Sequence, residues 1–528
     1  MPIYTRKRNP ETRNSGTCNP GICNPGTCNS GTRNSGTRKK VCWNALRGSF
    51  VSLALLLPLA AAGQTLARPG WAGSGLTLEP WWIHAVLYEI DPHHFQSATD
   101  GGTGTLRGII RQLDYVHSLG VDAITLTHVF PAPGPPARAE VEARLETVDP
   151  ALGTLDDFDD LVREASRDGL RVVLVLDAAP DGTAGAPTAG QQLSDPAALA
   201  TVARFWLSRG VAGISLRADR PDHTAIGPEQ VSPQPAGPHP ADPQQNSAQL
   251  HTLHSVTRSF AGQRILIAEA LPGVDRPAMH RAEVDLVLDP TLAAMTTFSA
   301  VSMRPALERL QPSAEGSASL ATTDGSGIAR STGRYGDGTN DVAIAKVLAT
   351  ILLATRTNAQ LYFGQEIGQI GIRGNPGSEL LMPWGPASAP VDAAAKKPAG
   401  TQPQAPGVAA EEADPDSLLN WYRQLIDLHH GNAALRSGTA AFLNHDADNS
   451  LAWVIRKQAV TPLAPAVVVL CNLSAQPVTL SLTGDMRSLH LRGSFLRTIL
   501  RSDKAMGGVN LNAVKLPPYG VYIGELRF

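Results

Sequence analysis

The stretch from Phe205 to Arg217 reads F-W-L-S-R-G-V-A-G-I-S-L-R. It joins the end of a helix-like segment, residues 196–208, to a short strand-like run at 213–216. Arg217 follows this run directly. A guanidinium stays protonated in a protein and accepts no proton, so this strand end cannot supply a nucleophile.

The same alternation of strand-like and helix-like segments recurs along the chain. Eight strand candidates lie at 85–88, 121–126, 171–176, 213–216, 264–268, 284–288, 319–322 and 359–363. Helix-like segments at 106–119, 155–168, 196–208 and 247–260 separate the first five of them. This pattern predicts an α/β protein with a closed (β/α)8 TIM barrel over about 81–385, whose chemistry lies at the C-terminal strand ends.

The pattern changes after the barrel. A Pro- and Ala-rich stretch, 386–415, is typical of a linker or a surface loop. We predict that a helix at 416–435 completes the barrel. The alternating apolar runs within 436–528 predict a C-terminal antiparallel β-sandwich.

Composition excludes some classes of partner. The 528 residues are 42% hydrophobic and 17% charged, with a formal net charge of -2. This balance is typical of a soluble globular protein and gives no bulk attraction to nucleic acid or membranes, so we expect no nucleic-acid partner. Aromatic residues make up 5%, which argues weakly against a long sugar-binding groove.

The first 40 residues contain a pentapeptide repeat at 13–37, such as C-N-P-G-T, that cannot bury a core, and we predict disorder for 1–40. The repeat spaces Cys18, Cys23 and Cys28 by five residues, which is not a usual zinc spacing. The sequence leaves open whether residues 1–40 are translated.

Residues 41–63 are predicted to be a secretory signal peptide. Cations at 38–40 and 47 precede an apolar run at 50–62, and small residues at 60–63 suit cleavage. The run is shorter than the ~20 residues that a membrane-spanning helix needs. Cleavage would leave Cys471 as the remaining cysteine, which fits a secreted or periplasmic protein without a disulfide. An uncleaved membrane anchor is the alternative, and membrane contact is expected only in that case.

Four motifs follow one another in order along the chain. They are V-L-Y-E-I-D-P-H-H-F at 86–95, D-P-A-L-G-T-L-D-D-F at 149–158, the stretch at 205–217, and Y-F-G-Q-E-I-G at 362–368. They resemble V-Y-Q-I-Y-P-x-x-F, D-P-x-F-G-T-x-x-D-F, F-W-L-x-x-G-V-D-G-F-R-L-D and Y-x-G-Q-E-I-G of glycoside hydrolase family 13, the α-amylase and α-glucosidase family. The resemblance covers nearly all of 81–528. It implies the barrel-and-sandwich fold and a link to carbohydrate chemistry.

The resemblance also implies roles for single residues. The family nucleophile, the last Asp of its fourth-strand motif, is Arg217 here, and Ser215 stands in place of the Arg two residues earlier. Glu269 occupies the general acid/base position at the end of strand five. The third strand should end D-x-V-x-N-H, and this chain has Val175, Ala179 and Pro180 where the Asp, Asn and His belong.

Three further assignments have a structural alternative beside the functional one. Asp324 occupies the position whose carboxylate grips sugar hydroxyls, or it caps the next helix. Tyr88 matches a substrate-binding position, or it is an aromatic at the edge of the core. Glu269 is catalytic, or it forms an ion pair with Arg217 that plugs the barrel mouth. We expect Arg217 to lie within salt-bridge distance of Glu269.

Asp219 is a candidate for a relocated carboxylate near the substrate, because it lies two residues beyond Arg217 and points the same way in a strand. Two residues shift a strand side chain by roughly 6.6 Å. A retaining glycosidase needs its two carboxyl groups about 5–5.5 Å apart, so this shift is too large.

We predict no metal site and no cofactor. Asp100 alone supplies a carboxylate where some family members bind calcium, and His93 and His94 are expected to be loop residues with ordinary partners.

Residues 178–195 leave no room for the domain that the family inserts after strand three. The amylase-like heavy chains of amino-acid transporters likewise lack both this inserted domain and the nucleophile.

These departures indicate a secreted, amylase-like protein that binds carbohydrate or acts as a scaffold without hydrolysing it. An active α-glycosidase or transglycosylase, with Glu269 as acid/base and a relocated carboxylate, is the alternative. A transporter-associated ectodomain is the second alternative.

The mature chain is expected to begin near Gln64, because the charged segment, the short apolar run and the small residues meet there. N-terminal sequencing of protein purified from its native host measures this directly. A mature N-terminus that retains the apolar run at 50–62 would contradict cleavage and favour the anchor.

Overall fold

Each of the eight predicted barrel strands is a strand in the structure. The computed structural model describes residues 79–98, 102–131, 143–177, 195–217, 243–269, 284–311, 318–371, 380–385, 406–457, 466–503, 505 and 507–527. The barrel strands are β1 (Val86–Ile90), β2 (Ala123–Leu126), β3 (Arg171–Asp177), β4 (Gly213–Arg217), β5 (Ile265–Glu269), β6 (Leu286–Asp289), β7 (Ala318–Thr322) and β8 (Asn358–Tyr362). They pair in parallel in chain order, and β1 pairs with β8, so the barrel is closed as predicted.

Helices follow the strands, and several of them begin at a side-chain cap. They are α1 (Pro92–Phe95), α2 (Leu106–Arg111), α3 (Leu113–Leu119), α4 (Leu155–Arg167), α5 (Pro196–Ser208), α6 (Pro243–Arg258), α7 (Ala300–Leu310), α8 (Ser331–Tyr335) and α9 (Asp341–Leu353). Thr154 and Asp157 form a capping box at the start of α4. Asp195 caps α5, whose first residue is Pro196. The helix predicted over 106–119 is two helices that meet at Gln112.

The C-terminal part forms the predicted β-sandwich. Its elements are α10 (Val408–Ala413), α11 (Leu418–Gly431), α12 (Ala433–Ser437), β9 (Gly438–Leu443), β10 (Ser450–Lys457), β11 (Ala466–Asn472), β12 (Val478–Leu480), α13 (Thr483–Ser488), β13 (Phe495–Arg501), β14 (Val509–Asn510), β15 (Val514–Leu516) and β16 (Val521–Arg527). A six-stranded sheet, β14-β13-β16-β11-β10-β9, faces the β12-β15 pair across an apolar core. Helix α10 lies within the stretch predicted to be a linker.

The barrel interior is filled by side chains in layers, as in other barrels of this kind. Leu87, Val173 and Ile267 belong to a buried apolar cluster inside the barrel. Side chains alternate along a strand, so Glu89, two residues beyond Leu87, points inward one layer nearer the C-terminal end. Arg217 and Glu269 likewise end β4 and β5. At Gly213 a Cβ would lie 2.3 Å from the Ile265 carbonyl oxygen, so β4 can pack this closely on β5 only with glycine there.

Barrel and sandwich share contacts that hold them together. Arg304 on α7 donates from Nη1 to the His445 carbonyl at 2.9 Å and from Nη2 to the Ala447 carbonyl at 2.9 Å. Trp453 on β10 donates from Nε1 to the Ala354 carbonyl, just after α9, at 3.0 Å. Each bond satisfies a carbonyl at a helix end or a turn, where no strand or helix partner is available.

The N-terminal repeat at 1–40, the predicted signal peptide at 41–63, the 386–405 part of the predicted linker and Asp219 lie outside the described residues. Among the helices that are described, none is long and apolar enough to cross a membrane.

Two histidines, His429 buried and His84 partly buried, lie between the start of β1 and the C-terminal helices. His429 on α11 is 1% exposed, and its Nδ1 lies 2.8 Å from the Leu353 carbonyl oxygen. Burial lowers the pKa of His429 to about 4, although that hydrogen bond opposes the shift. Burial, together with nearby His429 and Arg356, lowers the pKa of His84 to about 4 as well.

The free energy of unfolding is therefore expected to fall as the pH drops from 6.5 toward 4. In this window the unfolded chain binds protons at these histidines while the folded chain does not, and His429 alone accounts for about 3 kcal/mol. Urea denaturation at several pH values should show a smaller loss in His429→Gln. His251→Gln, at an exposed position on α6, is the control. Equal pH dependence in all three proteins would contradict the assignment.

Candidate functional site

The end of β4 carries a buried cation paired with a carboxylate. Arg217 Nη2 forms an ion pair with Glu89 Oε1 on β1. The side chains are 4% and 1% exposed, respectively. A charge in the barrel interior needs an opposite charge and hydrogen bonds, because burial removes it from water. The residue at the nucleophile position of the family is therefore a cation held in a buried ion pair.

A third side chain completes this pair. Gln360 on β8 donates from Nε2 to Glu89 Oε2 at 2.6 Å, and it is itself buried. The pairing of β1 with β8 places Gln360 level with Leu87, one inward position below Glu89. Both carboxylate oxygens of Glu89 are thus engaged by protein donors, which leaves Glu89 poorly placed to attack a substrate.

Glu269 lies at the mouth of the barrel. Its Oε2 is 3.9 Å from Arg217 Nε, so the expected contact is present but is longer than the one to Glu89. The Glu269 side chain is 16% exposed, against 4% for Arg217. Among the described residues no donor makes a hydrogen bond to Glu269 Oε2. This oxygen is itself buried, so the exposed part of the Glu269 side chain lies away from Oε2.

Glu89 and Gln360 are not among the site residues predicted from the sequence. A signal for Glu89 was present in the motif at 86–95, because the family pattern V-Y-Q-I-Y-P has glutamine at this position. An acid at Glu89 and a cation at Arg217 are complementary changes on two strands. No pattern in the sequence points to Gln360.

Asp324 lies in the loop between β7 and α8 and is 1% exposed. Its Oδ1 accepts the backbone N–H of Ser331, the first residue of α8, at 2.5 Å, and its Oδ2 accepts the Thr323 hydroxyl at 2.9 Å. These contacts match the helix-capping alternative, in which the carboxylate satisfies a donor at the helix start.

Tyr88 is completely buried, and its hydroxyl donates to Glu366 Oε1 at 2.7 Å. Tyr115 donates to the same oxygen at 2.6 Å. Burial raises the pKa of Glu366, and the hydrogen bonds from Tyr115 and Tyr88 oppose that effect. This geometry matches the alternative in which Tyr88 is a structural aromatic of the core.

The third strand ends without the sugar-gripping residues of the family. Val175 is buried on β3. The backbone of Asp177 lies opposite that of Arg217 in the register of β3 and β4. Ala179, Pro180 and Asp219 lie outside the described residues.

The histidines near the mouth have carboxylate partners. Asp91 Oδ2 lies 3.0 Å from His94 Nδ1 and 3.3 Å from His128 Nδ1, and His93 Nε2 lies 3.7 Å from Asp149. Burial opposes ionisation of Asp91, but the hydrogen bonds from His128 and His94 outweigh it and hold its pKa well below the usual range. Within the described part of the chain, no group of three or more His, Cys, Asp or Glu residues could hold a metal ion.

Sequence comparison finds relatives with names from carbohydrate chemistry. The family profile described as Alpha amylase, catalytic domain, matches residues 89–184. A probable α-glucosidase of Rhizobium meliloti is 28% identical over 566 residues, covering 85% of this chain and 98% of that protein. A trehalose-6-phosphate hydrolase of Escherichia coli is 48% identical over 97 residues, which are 18% of this chain and 17% of that protein.

Solved structures share the fold. The trehalose-6-phosphate hydrolase of Bacillus licheniformis superposes with a TM-score of 0.64 at 17% identity, covering 85% of this chain and 100% of that one. The isomaltulose synthase from Klebsiella sp. LX3 gives a TM-score of 0.64 at 18% identity with the same coverage. At such low identity, these likenesses establish the architecture alone.

Breaking the Arg217–Glu89 pair from one side should cost about 3–5 kcal/mol of unfolding free energy, because an uncompensated charge stays buried. We expect this of Arg217→Met and of Glu89→Gln. The double variant should lose much less than the sum. Denaturant unfolding of all four proteins measures the coupling.

The exposed pair of Arg167 and Glu164 on α4, 2.7 Å apart, is the matched control, and its coupling should stay below about 1 kcal/mol. Additive losses at Arg217 and Glu89 would show that the buried pair is not coupled.

Proposed function

We propose that this chain, which belongs to glycoside hydrolase family 13, the α-amylase family, is a non-hydrolytic member that binds carbohydrate or acts as a scaffold. The observation that carries the proposal is the buried ion pair of Arg217 with Glu89 at the end of β4. It puts a permanent cation where the family attacks its substrate.

The carboxylates that could replace the nucleophile have other partners. Retaining glycosidases need two carboxyl groups about 5–5.5 Å apart, one to attack and one to protonate the leaving oxygen. Glu89 is engaged at both oxygens by Arg217 and Gln360. Asp324 accepts donors at the start of α8. Among the described candidates, Glu269 alone has a carboxylate oxygen that accepts no hydrogen bond from a described residue, and one carboxylate does not complete the retaining mechanism.

Carbohydrate is the ligand class that the family and the remaining side chain favour. The relatives are named for glucosides and for trehalose 6-phosphate. The Glu269 side chain is 16% exposed at the mouth, and a carboxylate there can accept from a sugar hydroxyl. Export through the predicted signal peptide at 41–63 is part of the proposal and would place the protein where extracellular or periplasmic glycans are available.

The purified protein is expected to hydrolyse nitrophenyl α-glucoside at least about 10⁴-fold more slowly than an active family member. Arg217→Asp should not restore strong activity, because Glu89 then loses its cation and Val175 and Pro180 remain. Initial rates at several pH values measure this. The double variant Arg217→Asp with Glu89→Gln removes the repulsion between the two carboxylates. It is therefore the more stringent test of whether activity returns.

Turnover by the unmodified protein that disappears in Glu269→Gln would contradict the proposal and support the α-glycosidase alternative. His251→Gln, a substitution at an exposed position outside the site, is the control for nonspecific loss of active protein. Binding to a panel of α-linked oligosaccharides, weakened in Glu269→Gln, would support carbohydrate recognition without hydrolysis.

A further inference from the structure

A cavity lies at the opposite end of the barrel from Arg217. Its volume is about 310 Å³, and it is bounded by the N-terminal ends of β3–β5, helix α4 and the segment before β1. The polar and aromatic side chains that line it come from Trp81, Ser166, Arg171, Gln263 and Arg264. No Asp or Glu is among the lining residues. Ligand sites typically have volumes of roughly 300–1,000 Å³.

Arg171 lacks the partners that a half-buried guanidinium normally has. Its guanidinium carbon lies 4.7 Å from the centre of the Trp81 ring. No side-chain hydrogen bond or ion pair joins it to another described residue. Burial lowers the pKa of Arg171, and the more distant Asp122 opposes the shift. Its fork of donors is thus held against an aromatic face without an acceptor.

The guanidinium of Arg264 is held by hydrogen bonds at one of its nitrogens. Its Nη1 donates to the Val211 carbonyl at 2.8 Å and to the Gly210 carbonyl at 3.2 Å. Within the described chain its Nη2 donates to nothing, and the guanidinium has no carboxylate within 4.0 Å. Burial lowers the pKa of Arg264 also. The two carbonyls fix the position of the cation but leave its charge uncompensated.

The two cations converge on the same cavity. Arg171 begins β3 and Arg264 precedes β5, so β4 alone separates them and their Cα atoms are roughly 10 Å apart. The Trp81 ring is fixed, because its backbone N–H donates to Gln263 Oε1 at 3.0 Å and its Nε1 donates to the Gln263 carbonyl at 3.1 Å. Guanidinium groups bind planar or tetrahedral oxyanions through charge-assisted hydrogen bonds.

We propose that this cavity binds a small organic anion whose phosphate or carboxylate oxygens are held by Arg171 and Arg264. The Trp81 ring and the apolar wall of Val162 and Leu170 take the uncharged part of the molecule. The site is independent of the barrel mouth, because β3 spans seven residues between the two ends, roughly 20 Å.

The test titrates the full chain with inorganic phosphate and, separately, with citrate, by calorimetry at low chloride. We expect one of the two probes to bind with a dissociation constant near or below about 1 mM. Arg171→Gln and Arg264→Gln should each weaken that binding about tenfold or more. Phosphate binding without citrate binding assigns a phosphate ligand, and the reverse assigns a carboxylate.

Arg167→Gln on α4 removes the same charge beside Ser166 from an exposed ion pair, and it should leave binding unchanged. Thermal unfolding shows whether each variant folds, and neither cavity variant breaks an ion pair between described residues. Failure of both probes to bind at about 10 mM, or equal weakening by Arg167→Gln, would overturn the proposal.

Discussion

The ion pair between Arg217 and Glu89 is the constraint on which the C-terminal end of the barrel depends. A guanidinium cannot shed its charge when it is buried, so an acid must lie within reach and must itself be satisfied. The inward alternation of β1 and β4 places the two side chains together, and Gln360 on β8 takes the second oxygen. One substitution at a strand end thereby couples three strands.

Acidic residues near the mouth serve the structure to different degrees. Glu89 balances a cation, Asp324 caps a helix and Asp91 binds two histidines. Glu366, deeper in the core, accepts from two tyrosines. In each case the carboxylate is held by donors that a substrate would have to displace. Glu269 differs, because its contact with Arg217 is longer and its side chain is more exposed.

The arginines at the two ends of the barrel differ in burial and in their partners. At the C-terminal end, Arg217 is almost fully buried and has a carboxylate in direct contact. At the N-terminal end, Arg171 and Arg264 are half-buried beside an open cavity, where Trp81 and backbone carbonyls are their partners. Full burial requires an internal counter-ion, whereas a cation at a cavity can take its counter-ion from a ligand.

The sequence by itself determined the barrel, the sandwich and the cation at Arg217, because strand and helix periodicity is local and a residue type is read directly. The tertiary structure decided which acid pairs with Arg217. Glu89 lies 128 positions away, and only closure of the barrel brings β1 and β4 to face each other across the interior. It also gives Asp324 and Tyr88 their buried positions and protein hydrogen-bond partners, since these depend on packing between segments that sequence patterns do not relate.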